Sequence, residues 1–130
     1  MNLPPPRDDE FSRLLGIEVR RVAPGHAVAT MATAPHHANP HGTVHGVVFY
    51  AVAGAALAAA ANDDEHSGMV SSVLVEYLQP AAIGDALHAE VSRELSTDRE
   101  DIFTGTVRRG DQGDLLAWVR ARATRRSRRA

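Results

Sequence analysis

The first part of the chain has an apolar pattern that predicts a short helix followed by a β-hairpin. Residues 8–10 are acidic and Gly16 follows the apolar pair at 14–15, which are signals typical of the two ends of a helix. Apolar and polar positions then alternate over 17–22 and over 26–33, which indicates two strands. A Pro-Gly dipeptide lies between them, so we expect a turn that makes the strands antiparallel neighbours.

The pattern changes at residue 46, where a long run without a polar face begins. Half of residues 46–61 are alanine, with larger apolar side chains such as Phe49 and Leu57 among them. Alanine is the best helix former, and a helix without a polar face belongs inside a protein. We therefore expect an almost wholly buried helix of about 24 Å, enough to lie across most of a curved sheet.

After this helix the chain returns to period-two alternation. Four segments carry it, separated by short polar turns, at 69–78, 85–95, 100–108 and 115–124. Strands joined by such short connections must be antiparallel, because parallel neighbours need a crossover of a dozen residues or more. The sequence thus predicts an α+β fold in which a curved antiparallel sheet wraps around one buried central helix. We expect a single domain over 1–130, with its core at about 11–124.

Charge and composition exclude several classes of function. The net charge of -2 is too small to favour nucleic acid or an anionic membrane as the partner. There is no cysteine, so a disulfide, a thiolate nucleophile or a cysteine-based metal site is impossible. Residues 1–6 do not have the basic-then-apolar order of a signal peptide, and we expect a cytoplasmic protein. The basic tail at 125–130 has no apolar pattern and is expected to be a disordered, solvated end.

Two motifs resemble those of the hotdog-fold acyl-CoA thioesterases, specifically the phenylacetic-acid-degradation branch. Residues 39–46 read N-P-H-G-T-V-H-G and resemble the signature N-x-x-G-x-x-H-G-G, followed by an apolar helix. Thirty residues on, V-E-Y-L-Q-P at 75–80 and the Gly84-Asp85 pair resemble that family's Y-L-x-P and G-D. The spacing between the motifs fits, and the resemblance covers roughly 11–124 in element order. It implies the hotdog fold, which agrees with the architecture predicted from the pattern.

The resemblance also implies a homodimer, or a homotetramer built from it, whose sheets join edge to edge. Acyl-CoA or acyl-carrier-protein thioesters would bind between subunits at the start of the central helix, without a cofactor. Backbone N–H groups near Gly46 and Val47 lack intrahelical partners and would hold the oxyanion formed when water attacks the thioester. His45 belongs to the same motif, and Asn39 matches the asparagine that positions the carbonyl or the water.

Two positions depart from the family pattern. Val47 replaces the second glycine of H-G-G, and Gly54 stands where the family carries the Asp or Glu that activates water. Gly54 has either of two explanations, close packing at a dimer interface or room for an acyl chain. The acidic pair at 63–64 lies about 13–15 Å further along the helix, too far to replace the missing group. His41, His45 or a group from the partner chain are the remaining candidates for the base.

For the substrate-binding wall we select His41, Tyr50 and Ser72. Only one of Ser71 and Ser72 can face the site if the strand alternates. The histidines at 36, 37, 41 and 45 have no helical ligand spacing and no nearby carboxylate cluster, so we expect a substrate loop and no metal. The favoured function is a thioester hydrolase. Without the carboxylate, a non-hydrolytic acyl-thioester binding protein and a lyase or addition enzyme acting on an enoyl thioester remain alternatives.

Overall fold

The computed structural model describes residues 9–128, so the segment at 1–6, which is expected not to be a signal peptide, lies outside the described residues. The chain forms two α-helices, α1 (Glu10–Leu15) and α2 (Gly46–Ala60), and a 3₁₀ turn at Pro35–His37. Its strands are β1 (Glu18–Ala23), β2 (His26–Ala32), β3 (His66–Ser67), β4 (Val70–Tyr77), β5 (Ala86–Ser96), β6 (Glu100–Arg109), β7 (Leu115–Thr124) and β8 (Arg126–Ser127). The predicted elements are therefore confirmed, and the 3₁₀ turn and two short strands are additional.

Six strands form one antiparallel sheet in the order β1-β2-β5-β6-β7-β4. Strands β3 and β8 form a separate two-stranded ladder. Helix α2 packs on one face of the large sheet, so the α+β architecture expected from the sequence is confirmed. Strands β1 and β4 are the two edges, and β4 pairs only with β7 among the described residues.

Small side chains on both surfaces let α2 approach the sheet closely. On the helix, Ala53, Ala56 and Ala60 are buried, and so are Ala27 and Ala89 on the facing strands. Larger apolar side chains fill the space around this contact, namely Phe49, Val52 and Leu57 from the helix and Leu87, Val91, Phe103, Val107 and Val119 from the sheet. The core is thus a single cluster between one face of the sheet and one side of α2.

The side of α2 that points away from the sheet is not buried. Val47 is 58% exposed, Tyr50 is 46% exposed, and Ala58 is also exposed, while Gly54 is half-buried. These four positions are three or four residues apart, so they form one stripe along the helix, which we call the outer stripe. The expectation that α2 is almost wholly buried is wrong for the single chain, because none of the described elements covers this stripe. No helix within residues 9–128 is long and apolar enough to span a membrane.

The basic C-terminal segment is ordered as far as the structure describes it. Strand β8 pairs with β3, and the backbone N–H of Arg128 donates to the carbonyl oxygen of Glu65 at 2.9 Å. The guanidinium of Arg128 donates to the carbonyl oxygen of Asp63 at 2.6 Å and to Asn62 Oδ1 at 3.3 Å. The expected disordered end is therefore wrong for residues 125–128. Hydrogen bonds from arginine hold this segment in place without an apolar pattern.

A buried carboxylate also ties the C-terminal segment to the sheet. Asp101 on β6 is 2% exposed. Its Oδ1 accepts the Ser96 hydroxyl and lies 3.3 Å from the guanidinium of Arg125, and its Oδ2 lies 3.6 Å from that of Arg93. A charge removed from water in this way depends on all of its partners.

We expect Asp101→Asn to lower the free energy of unfolding by about 2 kcal/mol, because the two half-buried arginines lose their counter-charge. Urea denaturation at pH 7 measures the change. The matched control is Asp98→Asn in the exposed turn between β5 and β6, which should stay within about 0.5 kcal/mol of wild type. Equal losses in the two variants would contradict a stabilising role for the Asp101 cluster.

Candidate active site at the start of the central helix

Helix α2 begins at Gly46, with His45 as its N-cap. The first N–H groups of a helix have no intrahelical acceptor, and the helix dipole makes this end positive. Here the Val47 N–H donates to His45 Nδ1 at 3.1 Å, whereas the Gly46 N–H meets no acceptor in the part of the chain that the structure describes. The two predicted oxyanion donors are therefore not equivalent, and the Gly46 N–H is the one available to a ligand.

Asn39 organises the loop that leads into α2. Its Oδ1 accepts the backbone N–H groups of His41 at 2.9 Å and Thr43 at 3.1 Å. Its Nδ2 donates to Thr43 Oγ1 at 2.8 Å, and Gly42 between them has a left-handed φ of 84°. A carboxamide has two N–H donors, so one Nδ2 hydrogen has no bond within residues 9–128. Asn39 is thus a turn former that retains one donor.

His37 anchors the same loop from beneath. It is only 5% exposed, its Nδ1 accepts the Ala34 N–H at 2.9 Å, and its carbonyl oxygen accepts the His45 N–H at 2.8 Å. Burial, and then the neighbouring His36, lowers the pKa of His37, so the imidazole is neutral at pH 7. Within residues 9–128 no three His, Asp or Glu side chains are grouped so that they could hold a metal ion.

The second sequence motif packs directly against the first. The Val44 N–H donates to the carbonyl oxygen of Ala81 at 2.9 Å, which fastens the end of the Asn39 loop to the connection between β4 and β5. Asp85 stabilises that connection, because its Oδ2 accepts the Ala82 N–H and Arg109 Nε, each at 2.9 Å. The Gly84-Asp85 pair of the motif therefore supports the loop that positions the start of α2.

Tyr77 is a contact of the site for which the sequence analysis proposed no role. Its hydroxyl donates to the carbonyl oxygen of Gly46 at 2.8 Å, and its ring centroid lies 5.6 Å from that of Phe49. A Cβ added at Gly46 would lie 3.2 Å from Tyr77 Cζ, so the ring occupies the space that a side chain would need. Burial raises the pKa of the Tyr77 phenol, which stays a protonated donor at neutral pH. The available signal was the tyrosine of the Y-L-x-P motif.

Gly54 lies on the outer stripe, about 12 Å along the helix axis from Gly46. A Cβ added there would meet no heavy atom within 4 Å, so the position has open space for a side chain. Helix α2 itself contains no acidic residue. The nearest acid in sequence, Asp63, is engaged elsewhere, because its Oδ1 accepts the backbone N–H groups of Glu65 and His66. The missing carboxylate is not replaced from within α2 or its C-terminal turn.

The three residues selected for the substrate-binding wall do not lie together. Tyr50 is on the outer stripe, and His41 is an exposed residue of the Asn39 loop. Ser72 pairs with Arg122 and shares a face of β4 with Leu74, the face turned away from α2. The structure therefore brings Asn39, His45, Gly46 and Val47 together at the helix start and places Tyr50 and Gly54 further along the same helix. It does not bring Ser72 to this site within one chain.

Comparison with known proteins assigns the family. Residues 11–125, nearly the whole chain, match the family described as Domain of unknown function (DUF4442). The chain belongs to the DUF4442 family. This DUF4442 chain is also 30% identical, over 82 residues, to the acyl-coenzyme A thioesterase PaaI of Escherichia coli K12. That alignment covers 63% of the chain and 59% of the relative.

Solved structures place the DUF4442 chain in the fold that the motifs predicted. The E. coli PaaI protein from the phenylacetic acid degradation operon superposes with a TM-score of 0.85 at 24% identity, covering 92% of this chain and 86% of that one. A point mutant of the phenylacetic acid degradation protein PaaI from Thermus thermophilus gives 0.82 at 28% identity, covering 89% and 98%. The chain therefore has the hotdog fold of these PaaI proteins, and the resemblance stated from the two motifs is confirmed.

Asp85 makes the support of the site depend on pH. Hydrogen bonds from the Ala82 N–H and from the Arg109 guanidinium hold the pKa of the Asp85 carboxyl below its usual range. Such a group stabilises the fold above its unfolded pKa, about 3.9, and loses this contribution as the pH falls through the lower folded pKa. We expect Asp85→Asn to be less stable than wild type at pH 7, and the difference to shrink below about pH 3.9. Urea denaturation at neutral and acid pH tests this, and a difference independent of pH would contradict it.

Proposed function

We propose that this DUF4442 protein is a thioester hydrolase that acts on acyl-CoA or acyl-carrier-protein substrates at the start of α2. The observation that carries the proposal is the Gly46 N–H, which has no acceptor among the described residues and lies at the positive end of a 15-residue helix. A preorganised donor of this kind stabilises the oxyanion that forms when a thioester is attacked. The name of the E. coli relative, an acyl-coenzyme A thioesterase, supports the same reaction class.

The reaction would proceed by attack of water on the thioester carbonyl carbon. The carbonyl oxygen gains the negative charge and is held by the Gly46 N–H, and the remaining Nδ2 hydrogen of Asn39 orients the carbonyl or the water. Collapse of the intermediate breaks the carbon–sulfur bond, and the proton lost by the water passes to the leaving sulfur, so that the products are a carboxylic acid and a free thiol. His45 is exposed, and its Nδ1 accepts the Val47 N–H, so its Nε2 carries the ring hydrogen and can donate a hydrogen bond to the substrate. Helix α2 contains no acidic side chain that could take the proton from the water.

The empty position at Gly54 favours a second candidate. A chain that holds an acyl thioester against the Gly46 N–H without activating water would be a non-hydrolytic binding protein. The same donor would also stabilise the enolate of a lyase or addition reaction on an enoyl thioester, which needs no water-activating carboxylate. We place hydrolysis first because of the reaction in the name of the E. coli relative.

We further propose that the protein acts as a homodimer, with tetramers as a higher assembly. Two features of the single chain support a second copy as the partner. The outer stripe exposes Val47 and Tyr50, and such apolar groups on a helix are normally covered. Strand β4 leaves one edge unpaired among the described residues and carries no Lys, Arg or Pro that would keep another strand away. A cytoplasmic location stays a prediction.

Gly54→Asp tests the reaction. The substitution places a carboxylate in open space on the outer stripe, and glycine is already the weaker helix former. We expect hydrolysis to rise at least about 10-fold over wild type at neutral pH, a conservative part of what general bases contribute. Thiol release from a panel of short, aromatic and long acyl-CoAs measures it.

Gly54→Asn is the matched control, because it adds a side chain of the same size at the same place without a carboxylate. It should leave hydrolysis at the wild-type rate. If Gly54→Asp is folded and binds CoA but is no faster than Gly54→Asn, the site serves other chemistry and the hydrolase proposal fails.

Sedimentation at micromolar concentration tests the dimer. We expect a species of twice the 13.9 kDa chain mass. Val47→Asp puts a charge into the outer stripe and should weaken self-association at least about 10-fold, because burying an unpaired charge is costly. Leu95→Asp is the control, since Leu95 is equally exposed, at 59%, but lies at the far end of β5. A stable wild-type monomer would rule out the dimer.

A further inference from the structure

Three groups at the start of α2 form one hydrogen-bonded chain. The Tyr77 hydroxyl donates to the Gly46 carbonyl oxygen at 2.8 Å, and the Val47 N–H donates to His45 Nδ1 at 3.1 Å. The Gly46 carbonyl and the Val47 N–H belong to the same planar peptide unit. A bond to one end of that unit therefore polarises and orients the other end, as in other hydrogen-bond chains.

Within this hydrogen-bonded chain, the backbone of Gly46 has the most conformational freedom to restrict. Glycine has the freest backbone of all residues, and the first residue of a helix lacks an intrahelical bond to its N–H. The φ of Gly46 is not positive, so the backbone conformation does not demand glycine there. The Tyr77 ring favours it, because its Cζ, Cε1 and hydroxyl oxygen lie 3.2–3.3 Å from where a Cβ would be, so that a side chain at position 46 would push the ring aside. The Tyr77 ring thus packs directly against the backbone of Gly46.

Tyr77 also links the edge strand of the sheet to the helix. It is the last residue of β4, pairs with Ala117, and packs its ring against Phe49 in the helix. It is nevertheless 54% exposed, so part of the ring remains open beside the helix start.

We propose that Tyr77 is a positioning residue of the oxyanion site, which it controls by fixing the peptide unit between Gly46 and Val47. The inference rests on the proposed function for its catalytic meaning. The hydroxyl does not touch the substrate. It fixes the peptide unit between Gly46 and Val47, which shares the Gly46 Cα with the preceding unit that carries the free N–H, and so restricts rotation of the Gly46 backbone between the two units. It also strengthens the Val47 N–H as a donor to His45.

Tyr77→Phe removes the hydroxyl and keeps the ring that Gly46 is fitted to. Its matched control is Ser71→Ala, which removes another hydroxyl-to-carbonyl bond of the same strand, from Ser71 Oγ to the Arg122 carbonyl oxygen at 3.2 Å. Two readouts are needed, the backbone amide NMR signals of Gly46 and Val47, and the kcat and KM for acyl-CoA hydrolysis. The first readout is independent of any enzymatic activity.

We expect Tyr77→Phe to move the Val47 amide proton upfield, because its bond to His45 weakens, and to leave the fold intact. We also expect kcat to fall about 5-fold with KM unchanged, the size of effect that one hydrogen bond gives. Ser71→Ala should change neither readout.

Unchanged Gly46 and Val47 amide signals in Tyr77→Phe would overturn the inference, whatever the rate. Equal changes in Tyr77→Phe and Ser71→Ala, or a rise in KM at constant kcat, would also overturn it, since they indicate general destabilisation or a substrate contact. If neither wild type nor Gly54→Asp hydrolyses any acyl-CoA, the proposed function fails, and the amide signals still decide whether Tyr77 fixes the peptide.

Discussion

Helix α2 has no polar face, so it is stable only where other parts of the protein shield it from water. The sheet shields one side of it. The close approach of the two surfaces depends on alanines on both, such as Ala53 and Ala56 on the helix and Ala27 and Ala89 on the strands. Burying a helix in this way fixes its position along its whole length. The start of α2 is therefore held at a defined place beside the end of β4 and the loop organised by Asn39.

Hydrogen bonds of the two motifs then refine that position. The Asn39 loop is closed by its own carboxamide, supported beneath by His37, and fastened to the connection that Asp85 stabilises. Each of these groups acts on the backbone and leaves the Gly46 N–H without an acceptor among residues 9–128. In the proposed reaction, two parts of thioester chemistry are therefore separate. The fold would supply the oxyanion donor, whereas the group that activates water would be a single side chain at position 54, where the neighbouring atoms leave open space.

Periodicity predicted the main elements well, because strands and amphipathic or buried helices imprint their period on the apolar positions. Prediction from periodicity failed where the structure depends on contacts that leave no repeating pattern in the sequence. The ordered segment at 126–128 is held by arginine hydrogen bonds, and the exposure of the outer stripe depends on what packs above it and not on its own composition.

For the site as well, the sequence motif predicted local features, whereas contacts between residues far apart in the sequence could not be predicted. The motif pointed to Gly46 and Val47, but only the folded chain shows that His45 engages the Val47 N–H and that Tyr77, thirty-one residues away, fills the space beside Gly46. Ser72 was selected by strand alternation, and its pairing with Arg122 places it on the other face of the sheet. The pattern shows that a strand alternates, but which face meets the helix depends on register and bulges.

The strand order β1-β2-β5-β6-β7-β4 means that β4 is synthesised well before the strand with which it pairs. Strand β4 is made before β5, yet its partner within the chain is β7, which is completed only when residues 115–124 have left the ribosome. At ordinary elongation rates β4 waits roughly 2–9 s with both edges unpaired. During this interval the strand and the uncovered helix above it present apolar surface to other nascent chains. Strand β7 therefore closes the sheet, and truncation within it would leave an aggregation-prone intermediate in place of a smaller domain.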